Sequence, residues 1–253
     1  YKRQGVDSVL RARANECAPF ENVYTLALRG LHDRAMNASN DMADRKQMLQ
    51  DALMAQRKML IDATGKRGED IPQAFTPYKE VLDVYDEGLE LPDDVTIIWP
   101  DDNYGYMKRL SSPKEQKRSG RSGVYYHSSY LGKPHDHLWM NTTSPTLMYE
   151  ELRKAYDMTA DRIWLLNAGD IKSCEFAVDF FLSMAYDIDS FNFDRAATYR
   201  TEWLCGMLGD EYRNEYQEVI NSFYKLAFAR RPEFMGWGYQ WATDKHGRER
   251  NTD

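Results

Sequence analysis

The sequence WPDDNYGY at 99–106 places two carboxylates and an amide directly after an apolar run, Val95–Ile98. That run is typical of a buried strand, where an uncompensated charge is unfavourable. Turns and strand ends use Asp and Asn routinely, so a purely structural role is one interpretation of these residues. The other interpretation is that Asp101, Asp102 and Asn103 lie in a ligand site at the end of the strand.

Two further carboxylates occupy comparable places. Asp33 follows the apolar run Val23–Leu28, and Glu80 lies in the first turn of a helix that Thr76-Pro77 is expected to open. Paired carboxylates supply the acid for the leaving oxygen and the base or nucleophile that glycoside hydrolysis needs. These residue types therefore favour glycoside hydrolysis as the chemistry.

Basic side chains at the same strand ends add candidates for ligand contacts. Arg29 could hold a substrate carboxylate through its planar guanidinium, or it could form an ordinary ion pair with Asp33. His127 ends an apolar run and is either a substrate contact or a buried structural histidine. The cluster HDH at 135–137 resembles a metal site, but no third ligand stands at a diagnostic spacing. We therefore expect no metal.

The elements that must position these residues alternate between strands and helices. Apolar runs bounded by turn residues predict four strands, at Val23–Leu28, Val95–Trp99, Val124–His127 and Ile163–Asn167. Helical patterns occupy 41–61, 76–85, 144–156 and 176–185. Three Ser/Thr-Pro pairs are typical helix starts, at Thr76-Pro77, at Ser112-Pro113 with Glu115 in the capping-box position, and at Ser144-Pro145.

This alternation predicts a parallel sheet with right-handed crossovers. Ligands of parallel α/β folds bind at the carboxyl ends of the strands, and each predicted strand carries polar residues there. Four strands cannot close an eight-stranded barrel, which takes about 250 residues. The chain is therefore a small open sheet or part of a barrel. Two further helical segments lie within 192–230, and we place a boundary near Asp189; the polar tail after Trp241 is expected to be disordered.

Bulk composition excludes several classes of protein. The 253 residues include 33 basic and 40 acidic side chains, and the net charge of -7 disfavours nucleic acid or an anionic membrane as a partner. No apolar stretch approaches the roughly 20 residues of a membrane span. The three cysteines, Cys17, Cys174 and Cys205, form no disulfide or zinc pattern and are expected to be buried. The chain opens on Tyr1, so we expect the true N-terminus to be missing.

Three segments resemble glycoside hydrolase family 115, the xylan α-1,2-glucuronidases. They are TLALRGLHD at 25–33, WPDDNYGYMKRLSSPKEQKRSGRSGVYYHSSYLGKPHDHLWMNTTSP at 99–145 and RIWLLNAGDIKSCEF at 162–176. The resemblance implies the second half of a (β/α)8 TIM-like barrel at 1–189, followed by the start of a helical domain with a polar tail at 190–253. It also implies that the first barrel strands, which contribute to the family's pocket, lie outside this chain.

The same resemblance implies removal of glucuronic acid or its 4-O-methyl ether from xylan, with inversion and without metal or other cofactor. The catalytic candidates it implies are Asp33, Glu80 and Asp101, and which is acid and which is base stays open. The substrate contacts it implies are Arg29, Tyr78, Asn103, His127, Tyr130 and Asn167. Inversion requires a carboxylate pair roughly 6.5–9.5 Å apart, with room for water.

Other interpretations compete with this one. The chain could be a catalytically inactive carbohydrate-binding module, or an incomplete fragment that binds without hydrolysing. A metal-dependent α/β hydrolase using His127, His135 and His137 is a third alternative. The expected partners are glucuronoxylan or its oligosaccharides, with homo-oligomerisation through domains outside this chain as a further expectation. A polysaccharide substrate suggests a secreted or periplasmic protein.

Overall fold

The computed structural model describes residues 2–30, 35–36, 41–132 and 137–234. Seven helices lie in these ranges: α1 (Lys2–Cys17), α2 (Met42–Thr64), α3 (Glu80–Asp86), α4 (Pro145–Asp157), α5 (Ile171–Tyr186), α6 (Phe193–Leu208) and α7 (Arg213–Ala229). The strands are β1 (Tyr24–Thr25), β2 (Gln73–Phe75), β3 (Thr96–Pro100), β4 (Ser122–His127), β5 (Tyr130–Leu131), β6 (His137–Leu138) and β7 (Trp164–Asn167).

Five of these strands are hydrogen-bonded in the order β1-β2-β3-β4-β7, and β5 pairs antiparallel with β6. Three neighbouring pairs of this sheet are parallel: Tyr24 is opposite Gln73, Ala74 is opposite Thr96, and His127 is opposite Asn167. Parallel neighbours need long crossover connections, and helices α2, α3 and α4 lie in these connections. The predicted parallel α/β class is therefore confirmed.

The chain divides into two compact units. The first unit consists of Tyr1–Pro100, Leu110–Gly123 and Met158–Ile163, and the second of Asp101–Arg109, Val124–Asp157 and Trp164–Asp253. In the first unit, α2 buries Leu49, Leu53 and Leu60 in a cluster with Leu26 and Phe75. The spacing of four and seven residues puts these leucines on one helix face.

Aromatic side chains fill the core of the second unit. Helix α5 buries Phe176, Phe180, Phe181 and Met184, and the ring centroid of Phe181 lies 6.3 Å from that of Tyr126 on β4. Burial of this apolar area is the main favourable contribution to folding. The strand ends that carry the predicted site residues are thus held on a packed scaffold.

The four predicted strands occur: β1 is shorter at both ends, β3 is shifted by one residue, β4 begins two residues earlier, and β7 begins one residue later than predicted. Among the described strands and α-helices, four were missed: α1, β2, β5 and β6, of which β5 and β6 have two residues each. Strand β2 has only three residues and begins with Gln73, so it has no apolar run to reveal it. Helix α1 has few apolar residues and little amphipathic pattern. Periodicity cannot detect elements of this kind.

Two predicted helix starts are wrong. Helix α3 begins at Glu80 rather than after Thr76-Pro77, because Tyr78 N donates to Thr76 O at 2.9 Å in a tight turn and Lys79 has a φ of 52°. Ser112 and Glu115 do make the reciprocal capping-box hydrogen bonds. They open only a 3₁₀ turn at Glu115–Lys117, before the chain turns toward β4.

The other predicted helices overlap with observed helices. Ser144 Oγ accepts from Leu147 N at 3.2 Å and α4 begins at Pro145. Helix α5 begins five residues before the predicted Phe176. The tail after Trp241 lies outside the described residues, and the domain boundary near Asp189 remains a prediction. None of the described helices is both long enough and apolar enough to cross a bilayer.

The three cysteines are free thiols. Cys174 and Cys205 are buried as expected, whereas Cys17 is only partly buried. Burial raises the pKa of the Cys174 thiol above its ordinary value. Since the thiolate is the reactive form, Cys174 is an inert core residue.

Candidate functional site

In the first unit, the segment after β1 faces the start of α3. Arg29 Nε donates to Glu80 Oε1 at 3.1 Å, and Arg29 Nη2 donates to Glu80 Oε2 at 3.0 Å. The two side chains are 21% and 26% exposed, so this two-point ion pair is partly shielded from water. The Arg29 guanidinium also lies 5.4 Å from the centre of the Tyr78 ring. Arg29, Tyr78 and Glu80 are therefore brought together.

Backbone geometry at Lys79 places Glu80 there. Lys79 has φ 52° and ψ -124°, which is uncommon for a residue with a Cβ. Leu82 N donates to Lys79 O at 3.1 Å, so α3 begins immediately after this turn. Glu80 is thus the first helical residue, and its side chain reaches back to Arg29. Strained backbone of this kind is concentrated at functional sites.

In the second unit, Asp101 is a buried acceptor. Its Oδ1 lies 2.6 Å from His127 Nδ1 and accepts from Asn103 N at 3.0 Å. Its Oδ2 accepts from His127 N at 3.0 Å and from Gly105 N at 3.2 Å. The side chains of Asp101 and His127 are 0% and 1% exposed. Asp101 therefore organises both the loop after β3 and the end of β4.

Asp102 stabilises the same loop from its other side. Its Oδ1 accepts from Tyr104 N at 2.8 Å and from Tyr106 N at 3.1 Å. Asn103 has a φ of 73°, in the left-handed region that Asn tolerates better than most residues. The structural interpretation of WPDDNYGY thus accounts for most of its polar groups.

The other predicted contacts in this unit surround His127. The ring centroid of Tyr125 lies 4.5 Å from that of His127, and the centroid of Tyr130 lies 5.8 Å away at nearly a right angle. Asn167 is opposite His127 across the β4–β7 pair, and its Nδ2 donates to the Tyr125 hydroxyl at 3.2 Å. Asp101, Asn103, His127, Tyr130 and Asn167 therefore form one connected group.

One predicted catalytic residue cannot be placed. Asp33 lies outside the described residues, as do His135 and Asp136 of the HDH cluster. Within the described ranges, no three His, Cys, Asp or Glu side chains converge on a position suited to a metal ion. The roles assigned to the residues of both groups remain predictions.

Sequence reasoning missed a polar cluster in the second unit. Arg231 Nη2 donates to Tyr104 O at 2.7 Å, across 127 residues of sequence, and Arg231 Nη1 donates to Thr143 Oγ1 at 3.0 Å. Glu233, 3% exposed, accepts from Met140 N and from the Thr142 hydroxyl. Burial lowers the pKa of Arg231 below its ordinary value. A local sequence pattern cannot predict contacts between residues that lie so far apart in the chain.

Arg231 also lines a cavity of about 850 Å³ within this unit. Its walls include Tyr104, Tyr106, Thr143, Tyr224 and Phe228. Sequence reasoning also overlooked Tyr125. Tyr125 and Tyr126 are neighbours in β4, and side chains alternate between the two faces of a strand, so the sequence could have indicated that their rings lie on opposite faces.

The chain is similar to known carbohydrate-active proteins. The model described as glycosyl hydrolase family 115 matches residues 1–234. A solved structure described as a novel family GH115 4-O-methyl-alpha-glucuronidase, BtGH115A, with specificity for decorated arabinogalactans, is 41% identical, with a TM-score of 0.87. No curated protein matches the chain.

The match covers 91% of this chain and 30% of BtGH115A, so the chain spans less than a third of that protein's length. At this identity and TM-score the backbone of the two proteins is shared over nearly the whole chain. The predicted fold class is therefore confirmed: the second half of a TIM-like barrel, followed by helices.

Proposed function

Because the chain belongs to glycosyl hydrolase family 115, we propose that it forms part of a glycoside hydrolase. This enzyme removes α-1,2-linked glucuronic acid, or its 4-O-methyl ether, from glucuronoxylan by an inverting mechanism. A decorated arabinogalactan is the second candidate substrate, because BtGH115A, 41% identical, has specificity for such polymers. Because both candidate substrates are polysaccharides, a secreted or periplasmic location is part of the proposal.

The observation that carries the proposal is the contact between Arg29 and Glu80. A guanidinium has five N–H donors in a fork that matches carboxylates, so Arg29 can hold a uronate while it orients Glu80. Tyr78, with its ring 5.4 Å from the guanidinium, forms a wall for a sugar ring. This combination suits an acidic sugar better than a neutral one.

The arrangement also favours one division of roles between the carboxylates. Glu80 accepts a hydrogen bond from Arg29 at each of its two carboxylate oxygens, the geometry of a guanidinium–carboxylate pair. An ionised carboxylate is the base that activates water in an inverting enzyme. We assign this role to Glu80 and the proton-donating role to Asp33. In the second unit, the proposed sugar contacts are Asn103, His127, Tyr130 and Asn167, and Asp101 is the third carboxylate at the strand ends.

A second function remains open to test. A catalytically inactive module, or a fragment that binds the polymer without hydrolysing it, would keep Arg29 and the aromatic side chains. Asp33→Asn and Glu80→Gln distinguish the two. Binding persists in both cases, but only an enzyme loses turnover.

The proposal is tested with the longest reading frame that contains these residues. The protein is incubated with 4-O-methylglucuronoxylan and, separately, with a glucuronidated arabinogalactan, and the anomeric proton of released uronic acid is followed by NMR from the first minutes. A β-anomer that precedes mutarotation is the expected result. An initial α-anomer would contradict inversion, and binding without release would contradict the enzyme.

A further inference from the structure

We propose that Asp101 is a positioning residue that holds His127 as the Nδ1–H tautomer, and that it is not the catalytic acid or base. The consequence for turnover rests on the proposed function, whereas the tautomer itself does not. The two side chains meet at 2.6 Å between Asp101 Oδ1 and His127 Nδ1, with exposures of 0% and 1%. Water does not compete for this contact.

The other contacts of Asp101 indicate which of the two side chains carries the proton of the hydrogen bond between Asp101 Oδ1 and His127 Nδ1. Three backbone N–H groups point at the carboxylate: those of Asn103, Gly105 and His127. An ionised carboxylate only accepts, and three donors on its two oxygens favour that form. The proton in the fourth contact therefore sits on His127 Nδ1.

Neighbouring rings hold the imidazole in this orientation. Tyr125 lies 4.5 Å from it, centre to centre, and Tyr130 meets it nearly edge-on at 5.8 Å. Because Nδ1 forms the hydrogen bond with Asp101, Nε2 is the ring nitrogen that makes no hydrogen bond to Asp101. In the neutral ring Nε2 is then an acceptor, so the contact with Asp101 fixes the hydrogen-bonding character of both ring nitrogens.

The same contacts argue against a catalytic role for Asp101. A general acid must carry a proton and deliver it to the leaving oxygen. A proton on either oxygen of Asp101 would face N–H donors and remove an acceptor from a buried network. Leaving buried donors unsatisfied is unfavourable. Asp101 thus acts through His127 and not on the substrate.

Asp102 provides a matched control. It accepts from Tyr104 N and Tyr106 N and so stabilises the same loop. Both of these donors are backbone groups of the loop and neither belongs to His127. A substitution at Asp102 therefore perturbs the loop without exchanging the partner of the imidazole.

The Asp101→Asn variant should reverse the tautomer. If the amide oxygen takes the place of Oδ2, it keeps the bonds from His127 N and Gly105 N, whereas the NH₂ group faces His127 Nδ1 and loses only the bond from Asn103 N. The opposite orientation would set the NH₂ group against those two donors. The first orientation is preferred, so the ring must accept at Nδ1 and carry its proton on Nε2. In this tautomer Nε2 carries the proton, so it can no longer accept a hydrogen bond.

The experiment uses the longest reading frame, with ring-¹⁵N histidine and solid-state NMR, because nitrogen shifts separate the two tautomers. His127→Gln identifies the signal of His127. We expect a protonated Nδ1 in the unsubstituted protein and in Asp102→Asn, and a protonated Nε2 in Asp101→Asn. We also expect kcat/KM for uronic acid release to fall about 10- to 100-fold further in Asp101→Asn than in Asp102→Asn, because a misplaced contact has effects of this size.

Three results would overturn the proposal. They are a protonated Nε2 in the unsubstituted protein, an unchanged tautomer in Asp101→Asn, or equal kinetic losses in the two variants. If Asp101→Asn does not fold, the spectrum of the unsubstituted protein still decides the tautomer. If that protein releases no uronic acid, the proposed function fails, and the nitrogen shifts remain a separate test of the Asp101–His127 pair.

Discussion

At the scale of single residues, two arginines of the first unit make the same kind of contact in different places. Arg29 follows β1 and holds Glu80. Arg57 holds Asp94 through hydrogen bonds of 2.8 and 2.9 Å, just before β3 begins. The parallel strands thus have one such pair at their carboxyl ends and one at their amino ends. Only the first lies where parallel folds place their ligands.

Glu80→Gln keeps the shape of the side chain but removes its charge. If Glu80 is the base, kcat falls at least about 1,000-fold, within the range expected for general base catalysis. Asp94→Asn is the matched control, because it breaks an equivalent pair and should leave kcat within about twofold. Initial rates with excess polymer measure both effects. Equal losses in the two variants would contradict the assignment of Glu80.

Arg29→Lys tests whether the guanidinium recognises a uronate. Loss of one charge-assisted bidentate contact removes about 1.5–3 kcal/mol, which is roughly a 10- to 150-fold decrease in kcat/KM. The substrates to compare are a glucuronide and its methyl ester, which lacks the negative charge. The variant should discriminate less between them, because Lys keeps the charge but loses the bidentate geometry. A decrease of the same size for both would mean that Arg29 serves only Glu80.

At the scale of elements, the loop after β3 and the start of α3 position the predicted site residues by different means. Asp101 and Asp102 hold the loop through their side chains, whereas Lys79 turns the chain through its backbone, at a φ of 52°. The close approach of neighbouring segments adds a third constraint. A Cβ on Gly123, in β4, would collide with the carbonyl oxygen of Ile163.

Gly123→Ala should therefore weaken β4. Overpacking against a backbone atom destabilises by about 1–3 kcal/mol, because neither segment can move alone without breaking sheet hydrogen bonds. Gly206 is the control, since a Cβ there meets nothing within 4 Å and the residue lies inside helix α6. Gly206→Ala should stabilise by about 0.5–1 kcal/mol.

Hydrogen exchange followed by mass spectrometry measures both glycine variants. Exchange of the peptide that covers 122–127 should accelerate about 5- to 150-fold in Gly123→Ala. In Gly206→Ala, exchange of the α6 peptide should slow. Unchanged protection of β4 in Gly123→Ala would show that the neighbouring segment moves aside without loss.

At the scale of the whole molecule, each compact unit holds one of the two groups of predicted site residues. Arg29, Tyr78 and Glu80 belong to the first unit, and the group around Asp101 and His127 belongs to the second. The five-stranded sheet has β1 and β7 as the outermost of its described strands. Unpaired strand edges are open to association with other chains.

Residues 1–253 expressed alone should therefore bind polymer weakly, release no uronic acid and associate through these edges. The longest reading frame, tested beside it, should be active and of defined size. Light scattering after size-exclusion chromatography measures association, and uronic acid release measures activity. A monodisperse and active 253-residue chain would contradict this prediction.

Sequence alone determined where the chemistry could lie. Runs such as Val95–Ile98 and Val124–His127 identified the buried strands, because side-chain burial imposes a local pattern on the chain. The polar residues after these runs then marked the carboxyl edge, and the segments at 25–33 and 99–145 identified the family. These features are readable because each is contained in a few neighbouring residues.

Tertiary structure decided which groups meet and what each can do. Arg29 pairs with Glu80 across 51 residues, a contact that sequence alone had not offered, whereas its predicted pair with Asp33 lies outside the described residues and stays a prediction. Asp101, a catalytic candidate by type and position, accepts three backbone hydrogen bonds and contacts His127 Nδ1 in a buried network. Glu80 is the first residue of α3 because the chain turns at Lys79, so the helix does not begin after Thr76-Pro77 as the sequence pattern predicted. Such outcomes depend on competition between distant donors and acceptors for the same buried space, and no local pattern records the result.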